Sequence, residues 1–137
     1  MKNENNPKNT ELTVKKTELV AAIKDRSVGD LIKPLIEEIH LFDTYIAGTS
    51  YIEDQTVFAT INEEDKLTLK REDNKFDSKA ILVLDQNNVK LGYIPEADNI
   101  IFSRLMDAGK LLIAKVKSIK QFGEYYKISI GIYLVDF

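Results

Sequence analysis

The chain contains no cysteine, which excludes a disulfide framework and any thiolate metal site. A single histidine would leave a structural zinc site to be built from carboxylates, a poor donor set for that ion. The opening residues, MKNENNPKNTELTVKK, lack the apolar stretch of a signal peptide. Nowhere does the chain approach the roughly 20 apolar residues that a membrane span needs. The expectation is a soluble cytoplasmic protein with no membrane association. Catalytic signatures are missing too. His40 falls in an alternating stretch with no cysteine to pair with, and Ser50 and Ser78 lack a G-x-S-x-G context. The AGTS segment has one glycine and no following lysine, so it is no phosphate-gripping loop. Acidic clusters such as Glu63-Glu64-Asp65 keep a metal-dependent nuclease or hydrolase open as a distant alternative, although such clusters are usually solvated turns. No enzyme activity, cofactor or metal is expected.

With 137 residues, 44% of them apolar, the chain can bury the core of one compact domain. Its net charge of −3 argues against a uniformly basic phosphate-binding surface. The distribution is more telling than the sum. Residues 41–65 hold Asp43, Glu53, Asp54, Glu63, Glu64 and Asp65 with no Lys or Arg. Residues 66–90 reverse this with Lys66, Lys70, Arg71, Lys75, Lys79 and Lys90, and Lys110, Lys115, Lys117 and Lys120 follow.

Residues 1–16 are polar and expected to be a mobile tail. Residues 17–38 read as a short helical segment. Leu19, Ala22 and Ile23 share a face, Ser27 is an N-cap candidate, and Pro34 kinks or restarts the helix. This segment either packs on the body or docks a partner. From residue 39 the apolar period changes to two. EIHLFDTYIAG predicts a strand bending at Gly48, residues 65–72 a second strand, and KAILVLD a strand buried on both faces. VKLGYIP pairs with the last of these across the QNN turn. EADNIIFSRLMDAGK switches to helix, with Asp98 or its neighbourhood as cap, Ile101, Leu105 and Ala108 on one face and Gly109 as its stop. Two long alternating strands then meet at a turn near Gly123 and Glu124. The pattern is mainly β (α+β): residues 39–137 form a small, partly open barrel of the OB-like or SH3-like kind, with one inserted helix.

One loop is richer than chain reversal requires. In LKREDNKFDSKAILVL, Lys70, Arg71, Glu72, Asp73, Asn74 and Lys75 precede an aromatic and an acid, Phe76-Asp77. Tyr45, Tyr51, Phe76 and Tyr93 all fall near strand ends. Each could plug a barrel rim. Beside Lys70, Arg71 and Lys75, the same rings could stack on bases while the cations meet phosphates. Asp77 would repel phosphate, but it can accept a hydrogen bond from a terminal 3′-hydroxyl and so reject a continuing strand.

The segments FDTYIAGTSYI, KLTLKREDNKFDSKAILVL and LGYIPEADNIIFSRLMDAGKLLIAKV resemble, in order and spacing, the HIRAN domain over roughly residues 39–135. The chain is similar to the stand-alone bacterial form rather than to the modules of SNF2-class ATPases. That resemblance implies an OB-like barrel that captures the 3′ end of single-stranded DNA, in repair or processing. It implies stacking by Tyr45 and by Phe76 at a position usually held by Tyr, and a 3′-hydroxyl contact by Asp77. Asp73 and Asn74 form the polar pair before them, and Tyr93 flanks sugar or phosphate. The loop is one residue shorter than the family's, and Glu96 stands where a basic residue is common. Lys70, Arg71 and Lys75 complete the expected nucleic-acid-binding set. A helicase- or nuclease-type partner protein is compatible with this role. The alternative is a protein-interaction adaptor with weak or no DNA binding, motivated by the acidic stretch and Glu96.

Overall fold

The computed structural model describes residues 36–136, and residues Glu38–Val135 form one compact unit. The expected tail at 1–16 and all but the end of the expected helical segment at 17–38 lie outside the described residues. Six strands are present among them: β1 (Glu37–Tyr45), β2 (Lys66–Arg71), β3 (Ile81–Leu84), β4 (Lys90–Tyr93), β5 (Leu112–Phe122) and β6 (Tyr125–Asp136). A helix, α1 (Asn99–Asp107), separates β4 from β5. The first strand begins at Glu37, so Glu37 and Glu38 are strand residues rather than the end of a helix.

Alternation of apolar residues builds the sheet. Leu67 and Leu69 of β2, Leu112, Ala114 and Val116 of β5, and Ile128, Ile130 and Ile132 of β6 are all buried on one side. The strand order is β1-β6-β5-β2-β3-β4, and the β2–β3, β2–β5, β3–β4 and β5–β6 pairs are antiparallel. β5 and β6 are joined by the two-residue turn Gly123-Glu124, with Gly123 at φ 62°, the positive value that a tight type II′ hairpin needs at its first position.

The sheet then closes on itself. Just past β1, the Ile46 amide donates to the Ile128 carbonyl of β6 at 3.0 Å. One residue later the chain pairs with the opposite edge: Ala47 N donates to Tyr93 O at 2.7 Å, and Tyr93 N to Ala47 O at 2.9 Å. A single extended segment thus touches both β6 and β4, which turns the open sheet into the expected OB-like partly open barrel. The chain bends next, at Gly48. Gln55–Thr60 forms a 3₁₀ turn started by the Asp54 side chain, and it delivers Phe58 into the core, stacked on Tyr126 at 5.2 Å.

Three local expectations are corrected. Asp98 holds the N-cap position but makes no capping bond; its carboxylate accepts from the Thr44 hydroxyl at 2.8 Å. The inward face of α1 is Asn99, Phe102 and Ser103, while Ile101 is 67% exposed and Ala108 is exposed. The reason is Phe102: the largest apolar group of the helix takes the core position, beside Phe42 at 5.6 Å, and rotates Ile101 outward. β3 buries Ile81 and Val83 fully but Leu82 and Leu84 only in part, so it is not covered on both faces. The helix does stop at Gly109, where Lys110 N bonds Leu105 O and Gly109 N bonds Met106 O, the paired bonds of a Schellman ending.

Candidate functional site

The barrel closure places two distant segments side by side, and a cleft of about 360 Å³ opens there. It is lined by Ala47 from the closing segment, Asn74, Phe76, Asp77 and Ala80 from the β2–β3 loop, and Tyr93 at the end of β4 with Ile94 and Glu96 after it. Phe76 is 86% exposed, so its ring is presented to solvent rather than used as a rim plug. Tyr51 is likewise exposed, at 91%, and does not line the cleft.

The loop that carries Phe76 and Asp77 is irregular but tightly held. Asn74 Oδ1 accepts from the amides of Phe76 at 2.9 Å and Asp77 at 2.7 Å, an Asx-type turn that fixes both backbones. Asn74 Nδ2 donates to Glu72 Oε1 at 2.9 Å, and the Tyr93 hydroxyl donates to the same oxygen at 2.7 Å. Lys90 Nζ donates to the Tyr93 hydroxyl at 3.0 Å and lies 4.5 Å from the ring centre. Glu72 is therefore the junction that ties loop to β4. Its carboxyl is held below the ordinary Glu range, first by the Tyr93 hydroxyl, then by Asn74, with Lys90 adding a smaller attraction.

A pKa depressed on folding means that Glu72 supports the loop above its unfolded-state pKa. That support is lost as pH falls through the lower folded value. Tyr93→Phe removes the largest cause, so the Glu72 titration followed by NMR should move up towards the ordinary range in that variant. An unmoved titration would show that Tyr93 does not set it.

Asp77 is fixed from both oxygens. Oδ1 accepts from the Lys79 amide at 2.8 Å, and Oδ2 from Asn99 Nδ2 at 2.8 Å. Asn99 is 2% exposed, at the first turn of α1. Each carboxylate oxygen keeps acceptor capacity, so the aimed group can still receive a hydroxyl proton from a ligand. Asp77 is half-buried and Glu96 exposed, and both line the cleft.

The expected residues divide. Asn74, Phe76, Asp77 and Tyr93 meet in the cleft, Asn74 mainly as the loop's organiser. Lys75 stands at its rim, with Nζ 5.3 Å from the Phe76 ring centre. Tyr45 lies instead in a second groove of about 470 Å³ with Asp43, Lys117, Ser118, Lys127 and Ser129; Lys127 Nζ is 6.0 Å from its ring. Only Ile46 separates it in sequence from Ala47, which lines the first cleft. Lys70 and Asp73 are exposed but line neither groove. Arg71 braces the loop: it meets Asp107 at 2.9 and 3.3 Å and donates to the carbonyls of Ala80 and Ser78 at 2.6 and 3.0 Å. With four bonds made inside the protein, its guanidinium holds the loop to the end of α1. Much of the remaining basic run is similarly engaged, Lys66 and Lys115 with Glu38 and Lys117 with Asp43. Glu72 and Asn99 are the residues that sequence reasoning missed. Among the described residues no cluster of three or more His, Asp or Glu could hold a metal ion, and no helix is long and apolar enough to cross a membrane.

The family model described as HIRAN domain matches residues 39–135. A Lactobacillus plantarum protein of known crystal structure superposes with a TM-score of 0.69 at 25% identity, covering 74% of this chain and 99% of that one. The HIRAN domain of human HLTF superposes with a TM-score of 0.58 at 17% identity, covering 73% of this chain and 78% of that one, a likeness of fold. No curated protein matches the chain.

Proposed function

Because this chain belongs to the HIRAN domain family, we propose that its barrel is a nucleic-acid-binding module that takes the 3′-hydroxyl end of single-stranded DNA, without catalysis of its own. The observation that carries this reading is the presence of a bare aromatic face and an aimed carboxylate in one cleft. Phe76 offers its ring to the last base, and Asp77, held by Lys79 N and Asn99, accepts the 3′-hydroxyl. Phosphate at that place would meet two carboxylates, Asp77 and Glu96. Lys75 and Lys90 at the rim supply positive charge for the preceding phosphates, and Tyr93 flanks the sugar. Ends of this kind arise in DNA repair and processing, where a helicase- or nuclease-type partner would expose them.

Titrating fluorescent oligonucleotides tests the reading. A strand ending in a 3′-hydroxyl should bind about five- to 150-fold more tightly than the same strand ending in a 3′-phosphate, the span set by about 1–3 kcal/mol of repulsion in a partly wet cleft. Affinity should fall as salt rises, through the few lysine–phosphate contacts. Equal affinity for both ends would remove the end-capture role. Failure of every oligonucleotide to bind would leave the protein-adaptor alternative in its place.

A further inference from the structure

No residue of α1 lines the cleft, yet the helix holds the β2–β3 loop at two points. At its first residue, Asn99 Nδ2 donates to Asp77 Oδ2 at 2.8 Å. At its last, the Asp107 carboxylate meets Arg71, which in turn donates to the Ser78 and Ala80 carbonyls. The helix between these contacts is about 12 Å long, so rocking about one of them is opposed by the other. Phe102 beside Phe42 anchors the middle, and Asp98, just ahead of the helix, accepts from Thr44 of β1. The loop is closed at its own base, where Glu72 N donates to Ala80 O at 2.9 Å.

Asn99 is the costly member of this arrangement. It is 2% exposed, and a buried amide is tolerated only where its hydrogen bonds are made; a leucine would fill similar space without that penalty. The chemistry fixes which way it faces. Turning the amide over would set its oxygen against a carboxylate oxygen, so only the Nδ2 donor can meet Asp77. If Asp77 swung out to solvent, that donor would be stranded in the interior. The bond therefore selects one position of the carboxylate before any ligand arrives, while the Lys79 amide holds the other oxygen.

We propose that Asn99 is the positioning residue of the end-sensing carboxylate, and that Arg71 is a second one, acting through Asp107 and α1 rather than on phosphate. The inference rests on the end-capture reading. Neither residue lines the cleft, and both act through Asp77. Asn99 sets the direction of the carboxylate, and Arg71 holds the backbone just beyond it, at Ser78 and Ala80. Rigidity is what makes the acid selective. A loose carboxylate can turn away from a terminal phosphate, whereas a fixed one must repel it and stays aimed at a hydroxyl.

The test titrates 5′-fluorescein dT10 ending in a 3′-hydroxyl or a 3′-phosphate. In Asn99→Leu the preference for the hydroxyl end should fall about fivefold, the worth of one hydrogen bond. The 3′-hydroxyl strand should weaken for lack of an aimed acceptor, and the 3′-phosphate strand should not weaken, because the freed carboxylate can turn aside. Damage to the fold would instead weaken both strands alike and lower the thermal midpoint. Asn99→Ala carries this arm if Asn99→Leu does not fold. Arg71→Gln should also narrow the preference while leaving the slope of log affinity against log salt as in wild type. Asp107→Asn, at a half-exposed side chain, should act in the same direction. Asn99 variants that discriminate as well as wild type overturn the Asn99 assignment. A slope shallower by about 0.7 in Arg71→Gln, one phosphate contact on a single strand, with the preference intact, gives Arg71 to phosphate and overturns its positioning role. Equal binding of both ends by wild-type protein discards end capture and this inference together, whereas a failure confined to the variants leaves end capture standing.

Discussion

Gly92→Ala is expected to destabilise the domain by about 3 kcal/mol or more, read as a large drop in urea midpoint and melting temperature. A Cβ at this position would lie 2.3 Å from the Ala47 carbonyl oxygen and 2.7 Å from Ile46 Cγ2. Neither neighbour can yield easily. Ala47 O is held by Tyr93 N at 2.9 Å, and Ile46 is 1% exposed within the core. Gly92 also adopts φ 153°, a conformation disfavoured for residues with a side chain. Against a domain stability of about 5–15 kcal/mol this is a severe loss. Gly123→Ala is the control: its φ of 62° carries a strain of roughly 1–2 kcal/mol, but nothing lies within 4 Å of the added atom. Similar midpoints for the two variants would mean that the segment at 46–47 does not close the barrel. Because Ala47 and Tyr93 both line the cleft, Gly92→Ala should cost binding as well as stability.

That closure also marks where the sequence stopped being legible. Strand periods, the Gly123-Glu124 turn and the helix stop at Gly109 are signals of one to four neighbours, and the structure has them where they were expected. Nothing in LGYIP says that Gly92 must face Ala47, 45 positions earlier, since the contact exists only once both sheet edges are in place. The site divides along the same line. Phe76 and Asp77 stand out because an exposed ring and an acid are unusual together in a basic loop. Glu72 and Asn99 look ordinary, and their roles arise from partners 21 and 22 residues away. The brace made by Arg71 is hidden for the same reason, its carboxylate partner lying 36 residues downstream. The α1 face was misassigned because Ile101 and Phe102 compete for one inward direction, and only packing against Phe42 decides between them.

Phe76→Ala and Asp77→Asn should fail in different ways. Removing the ring deletes stacking that every base can use, so binding should weaken by about 1–3 kcal/mol, roughly five- to 150-fold, for 3′-hydroxyl and 3′-phosphate ends alike. The ring is 86% exposed, and the Asx turn beneath it is made by Asn74 and backbone amides, so the fold should be untouched. Asp77→Asn keeps the size of the side chain and an oxygen for the Lys79 amide, but deletes the charge. Its effect should fall on the difference between ends: the penalty on a 3′-phosphate shrinks, and the preference ratio moves towards one. Glu96→Gln serves as the comparison, because Glu96 is exposed and its charge is better screened by water and salt. It should lower the ratio less than Asp77→Asn does. An Asp77→Asn protein that discriminates as well as wild type would show that end sensing resides elsewhere. A Phe76→Ala protein with unchanged affinity would show that the last base does not stack in this cleft.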